Sequence, residues 1–407
     1  MKKLALLIIP LLLVSCKSKK QEIFEWRGDD RSGIFSETGL MKQWPEDGPE
    51  LLWTAEGVGN GYGSPLVTSD RIFINGETDS TGYLVAFDPE GKLLWKSSYG
   101  PEYTVSFQGS RSTPTYVDGK LYVCSGEGRI TCFNAADGSE LWHREMIGDL
   151  HGTMNRFGYS QSLLVDDRFV YCQPGGADTN MVALDRNDGT LFWFNAGKGE
   201  ISAYCSPRII DHNGQKLLLT FSEHHLLAFD PAIGELLWSV EQDTTCDIHG
   251  NTPIYYNGCV YSSSGCGSMT LKLELSDDGR AVKQIWRNDN LDNTLGGVLT
   301  VGNSLIGTGH RKRFLKRVDM ESGICTDSVN TGRGCMIAAD GMLYLYNEQG
   351  LVQLISVSTD SLSVVSSFKI TLGENEHFAH PAIGQGKLFI RHGDVLMAYG
   401  IRDEQGS

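Results

Sequence analysis

Apolar and polar residues alternate along most of this 407-residue chain in short runs, broken by Asp-Gly, Asn-Gly and other glycine-rich pairs. Alternation of period two predicts strands, and those turn pairs predict hairpins. The runs themselves recur. Residues Ala183 to Trp193 read as an apolar strand, a turn at Asp188-Gly189 and a second strand ending in tryptophan. Nearly the same eleven residues return at Ala228 to Trp238 and at Cys132 to Trp142. A form one residue shorter spans Ala86 to Trp95, a looser one ends at Trp286, and Leu51-Leu52-Trp53 matches the tail of another.

The tryptophans at 53, 95, 142, 193, 238 and 286 are separated by 42, 47, 51, 45 and 48 residues. A second shared pattern precedes each unit. Ser64-Pro65, Thr113-Pro114, Ser162, Pro207 and Pro253 open five copies, and Gly297, Cys335-Met336 and His380-Pro381 open three that lack the tryptophan. Eight copies of about forty to fifty residues, each with four short strands, predict an all-β, eight-bladed β-propeller rather than a helical solenoid. The last copy, Pro381 to Tyr399, has only three strands, and the orphan segment Pro49 to Thr54 supplies the fourth. The N-terminal strand therefore closes the ring, which removes exposed sheet edges. The expected organisation is a leader over 1–16, a tether and N-terminal arm over 17–48, the propeller over 49–401 and a polar tail over 402–407. The turn-rich arm contains Trp26-Arg27-Gly28-Asp29-Asp30. Its Arg-Gly-Asp is read as a turn.

Met1-Lys2-Lys3 followed by an apolar run from Leu4 to Val14 predicts a secretion signal, too short to span a membrane as a helix. Leu13-Val14-Ser15-Cys16 resembles the bacterial lipobox, which makes Cys16 the expected lipidation site and new N-terminus. No acidic residue follows Cys16 directly, so the expected location is an outer-membrane anchor facing the periplasm. The formal charge of −15 becomes about −17 without the leader, because Lys2 and Lys3 leave with it. Such a surface repels phosphate backbones and excludes nucleic acid as a partner.

Ten cysteines occur, and nine remain after Cys16. They fall mostly inside strands and are expected to act as small apolar residues between blades. A hairpin turn at Glu127-Gly128 would pair Cys124 with Thr131 and Cys132 with Val123, placing the two thiols on opposite sheet faces. No Cys-x-x-Cys occurs, so neither a zinc ribbon nor a c-type haem is supported. No Gly-x-Ser-x-Gly elbow appears either.

The Ala-x-Asp-x-x-x-Gly-x-x-x-Trp units resemble those of the pyrroloquinoline-quinone (PQQ) repeat superfamily, over residues 49–401. Trp26-Arg27-Gly28-Asp29-Asp30 with Gly33 resembles a bacterial branch of it. The resemblance implies that Trp53, Trp95, Trp142, Trp193, Trp238 and Trp286 dock neighbouring blades, each indole N–H finding a main-chain partner. Two functional groups share the repeat: quinoprotein dehydrogenases, which oxidise alcohols or sugars with PQQ and calcium, and non-enzymatic lipoproteins of the outer-membrane protein assembly type. The dehydrogenases typically carry two adjacent cysteines over the cofactor, and this chain has no Cys-Cys pair. No Glu, Asn and Asp set matches their calcium ligands. Neither a cofactor nor a metal is therefore expected, and a monomeric, non-catalytic binding or assembly module is favoured over a PQQ-dependent dehydrogenase.

In a propeller the residues just before each innermost strand converge on the channel mouth. Counting back from the blade openings gives Tyr62, Arg111, Tyr159, Tyr204, Gly250, Leu295, Arg333 and Phe378, with His151, Asp247, His249, His377 and His380 nearby. Tyrosines and arginines suit stacking on and hydrogen bonding to a sugar, so the expected partner at this mouth is a glycan or a protein of the envelope.

Overall fold

The computed structural model describes residues 21–242, 247–266, 269–311, 313–359 and 361–403. The leader with Cys16, residues 17–20 of the tether and 404–407 of the tail lie outside these. Eight antiparallel four-stranded blades make a ring. Blades 1 to 7 span residues 66–101, 115–145, 164–195, 208–241, 254–288, 299–330 and 334–369, each with its strands in sequence order. Blade 8 takes Ala382–Gly384, Lys387–His392 and Val395–Gly400 from the C-terminal end and Glu50–Ala55 as its outermost strand. The orphan strand thus closes the ring as the repeat count requires.

The repeated residues have a physical reason. Ala86, Ala183 and Ala228 stand directly opposite Trp95, Trp193 and Trp238 on the neighbouring strand, and a one-residue register shift follows each alanine. The small residue leaves room for the indole, and the bulge turns it towards the next blade. There each indole N–H donates to a turn carbonyl, from Trp53 to Pro89 (3.1 Å) through Trp193 to Pro231 (2.9 Å) to Trp286 with Met320 (3.1 Å). The ring rests on the glycine of that same turn. A Cβ built on Gly234, whose φ is +74°, would sit 2.4 Å from the Trp193 ring. The aspartate caps the turn, Asp230 Oδ1 accepting from the Ala232 N–H at 2.8 Å. In blade 8 the alanine is Ala398 and the tryptophan is Trp53, so one unit is shared between distant parts of the chain.

The Ser or Thr at the first four blade openings forms part of an inner belt. The N–H of Ser64 donates to Thr113 Oγ1 (3.0 Å), that of Thr113 to Ser162 Oγ (2.9 Å) and that of Ser162 to Ser206 Oγ (2.9 Å). Three blade junctions are tied at the channel in this way.

The arm crosses the rim where the innermost strands end. Ile23–Phe24 pairs with blade 2, and Ile34–Phe35 runs parallel to Gly334–Ala339 of blade 7. Between them Arg31, 1% exposed, donates to the carbonyls of Ser162 (2.7 Å) and Leu163 (2.6 Å) and pairs with Glu25 at 2.6 Å. The Arg27-Gly28-Asp29 tripeptide is a turn whose Arg27 is buried and bonded to the Val298 carbonyl.

One expectation is corrected. Cys124 pairs with Ile130 and Cys132 with Tyr122, and both thiols face the same core between blades 2 and 3. The turn is the four residues Ser125 to Gly128, closed by a Gly128 N–H to Ser125 carbonyl bond, so the register moves by one. A one-residue shift flips the face. Both are free thiols. Cys266 is disulfide-bonded.

Candidate functional site

At the rim where the innermost strands begin, the channel opens as a cup of about 370 Å³. Its floor is Trp26, carried in by the arm and set edge-on to His380 with ring centres 5.2 Å apart. One wall is a continuous arc of five aromatic rings. Tyr62 neighbours Phe378 (5.6 Å), Phe378 neighbours Phe107 (5.8 Å), Phe107 neighbours Phe157 (6.1 Å) and Phe157 neighbours Tyr204 (5.9 Å). The opposite wall is polar. Arg333 pairs with Glu348, contacts His310 Nδ1 and reaches Thr294 Oγ1 at 3.4 Å. Burial and the adjacent Arg333 hold the His310 imidazole below its ordinary pKa.

Of the residues expected at the mouth, Tyr62, Arg111, Tyr204, Gly250, Leu295, Arg333, Phe378 and His380 line the cup. Arg111 lies over the Tyr103 ring at 4.6 Å and donates to the carbonyls of Gly109, Ser106 and Phe107. The Tyr62 hydroxyl donates to Glu376 at 2.7 Å, and burial followed by that carboxylate raises its pKa. His380 donates through Nε2 to the Leu295 carbonyl at 3.0 Å, and burial together with Arg27 pushes its pKa down to about 3.

Five others lie elsewhere. Tyr159 is core between blades 2 and 3, its hydroxyl bonded to the Pro174 carbonyl, and Ser160 takes the place on the wall. No proline follows Ser162, so the count from the blade opening slips by one residue there. His249 is fully buried, stacked on Phe221 at 5.1 Å. His377 stacks on His392 at 3.8 Å, and burial followed by that neighbour lowers its pKa to about 4. Asp247 pairs with Arg156 on the rim at 2.6 Å. His151 lines a separate cavity beside blade 3. Phe107, Phe157 and the Trp26 floor went unread in the sequence. The two phenylalanines stand on the long connections between blades 1 and 2 and between blades 2 and 3, away from the repeat's fixed positions. Length marks only the second of them, since residues 146–163 make a longer connection than 196–207 or 242–253, whereas 102–114 does not stand out.

A PQQ–calcium pair needs donors that this cup does not present. Calcium takes six to eight oxygen ligands, carboxylates prominent among them. No Asp or Glu among the described residues lines the cup, and no cluster of three or more His, Cys, Asp or Glu side chains that could hold a metal occurs among them. The pair does not fit these walls.

Behind Arg111, the buried carboxyl of Glu102 accepts from the Tyr99 hydroxyl (2.8 Å) and the Tyr103 N–H (3.0 Å), yet burial raises its pKa to about 7. A raised folded-state pKa contributes stability below the ordinary value of 4.5 that is lost as pH rises towards 7, on the order of 3 kcal/mol. Thermal melts across pH 4–8 should therefore show the wild type losing ground to Glu102→Gln as pH rises. Parallel curves for the two proteins would contradict this.

A family model described as "Outer membrane protein assembly factor BamB" matches residues 80–324. The chain belongs to that family. Among solved structures, BamB from Moraxella catarrhalis superposes with a TM-score of 0.63 at 13% identity, covering 88% of this chain and 99% of that one. Quinohemoprotein alcohol dehydrogenase from Comamonas testosteroni gives 0.67 at 12% identity, over 93% of this chain and 80% of that one. At these identities the two show a shared fold. Tetrathionate hydrolase of Acidithiobacillus ferrooxidans is 21% identical over 268 residues, which is 56% of this chain. The chain spans about half the length of that curated relative.

Proposed function

We propose that this propeller is a non-catalytic binding module of the cell envelope that seats its partner in the cup. The observation that carries the reading is the five-ring arc facing a polar wall above a closed floor, a concavity built on a rigid ring. The family description supports an envelope role, and the BamB fold accounts for 88% of this chain. An oxidoreductase reading lacks support in the cup, whose described walls offer no carboxylate for calcium. Lipidation at Cys16 would hold the protein, as a monomer, on the periplasmic face of the outer membrane.

A photoreactive residue placed at Phe107, on the exposed rim of the arc, tests the reading in living cells. Envelope adducts are expected there and not from the same residue at Phe192, exposed on the outermost strand of blade 3. Equal yields at the two positions would remove the cup as the docking seat. A Cys16→Ala protein should leave the membrane fraction, and its retention there would overturn the anchor.

A further inference from the structure

The geometry points to the cup as a glycan-binding site that takes a sugar ring carrying a carboxylate, with the ring on the aromatic arc and the acid on Arg111. This rests on the cup being the docking seat and adds the chemistry of what sits there. The two walls make different demands. The arc offers ring faces from Tyr62 to Tyr204, whereas Arg333, Thr294 and His310 opposite are polar. A wholly apolar ligand would strip water from that polar wall without replacing its hydrogen bonds. A wholly polar ligand would gain nothing from five aromatic rings. A pyranose has a C–H face for the arc and hydroxyl edges for the other wall, and satisfies both.

The charge distribution selects among sugars. The chain as a whole carries −15, yet the cup is lined by Arg111 and Arg333 and by no Asp or Glu among the described residues. Arg333 is neutralised by Glu348, and Arg156 on the rim by Asp247. Arg111 is different. Its bonds go to the carbonyls of Ser106, Phe107 and Gly109, and its Nε has no partner among the described residues. Glu102 behind it is held towards its neutral form by burial, with a pKa of about 7. Deeper still, Arg27 and Arg391 are buried and bond mainly to carbonyls, Arg391 to those of Gly59, Gly63, Asn75 and Gly393. Glu376, the carboxylate at the edge of the arc, is engaged by the Tyr62 hydroxyl. A guanidinium with no ion-pair contact among the described residues, presented beside the aromatic arc, is matched by a ligand that brings its own carboxylate. The volume of about 370 Å³ is near the lower end of ligand pockets and suits the end of a glycan rather than a long stretch of one.

The test uses the mature protein and a panel of immobilised oligosaccharides ending in glucuronate or galacturonate, each beside its neutral glucose or galactose counterpart. Calorimetry on the free sugars follows. Acidic ends should be retained and neutral ends should not, with affinity falling as salt is raised. Arg111→Met should weaken acidic binding about tenfold or more, and Tyr204→Ala should weaken it too. An exposed-turn control, Asp188→Ala, should bind as wild type. Melting curves confirm that each variant is folded. Equal retention of neutral and acidic ends would remove the carboxylate seat from the proposal. Failure of every glycan, alongside protein adducts from the Phe107 photoprobe, would overturn the glycan class while the docking seat stands. Absence of both would remove the seat itself.

Discussion

Trp193→Ala should lower the unfolding free energy by about 3–5 kcal/mol, among the largest effects of any single substitution in this chain. The indole is 7% exposed and sits in the core between blades 3 and 4 with Leu218, Leu227 and Phe229. Its loss leaves a cavity that two rigid sheets cannot collapse to fill, and it removes the 2.9 Å indole N–H bond to the Pro231 carbonyl, leaving that carbonyl only the longer contact from the Tyr171 hydroxyl at 3.3 Å. Gly234→Ala attacks the same junction from the other side, because the added methyl meets the ring and the residue must hold φ at +74°. The two changes break one contact, so the double variant should lose less than the sum of the singles. Denaturant unfolding of the four proteins measures this. Additive losses would mean that glycine and tryptophan act independently, against the packing described here.

That junction also shows why the fold was legible in the sequence. A contact repeated at six junctions imposes a tryptophan each time and, in most copies, an alanine, aspartate and glycine at similar spacing, and repetition lifts the pattern above chance. Blades 6 and 7 lack the tryptophan but keep four strands each, so their presence was read from the blade openings alone. The cup was legible only where it obeys the repeat. Tyr62, Arg111, Tyr204 and Arg333 hold equivalent places before an innermost strand, and counting found them. Phe107 and Phe157 stand in connections that differ from blade to blade, and Trp26 reaches the channel from an arm outside the period. Their convergence is a fact of tertiary structure. Histidines were the poorest guide. His249 and His377 lie near the mouth in sequence, yet each is absorbed by stacking on one neighbour, Phe221 or His392. The cysteine pair failed for a local reason, since the turn spans Ser125 to Gly128, which moves the register by one residue and reverses the face of the strand that follows.

Deleting residues 22–56 should give a protein that aggregates and no longer melts cooperatively. The deletion removes Glu50–Ala55, the outermost strand of blade 8, and uncovers the Val395–Gly400 edge with its row of unpaired N–H and C=O groups. Trp53 goes with it, which frees the junction to blade 1 that its bond to the Pro89 carbonyl holds. The arm's other ties are lost at the same moment: Arg31 on the carbonyls of Ser162 and Leu163, and the Leu40 N–H on Asp340. Trp26 also leaves the floor of the cup, so any ligand that needs a closed base loses its seat. A narrower variant separates these effects. Trp26→Ala keeps the closing strand and should stay soluble and cooperative while binding in the cup falls. Light scattering and calorimetry on the two proteins decide between them. A soluble 22–56 deletion that melts at the wild-type temperature would show that the ring does not depend on its N-terminal strand.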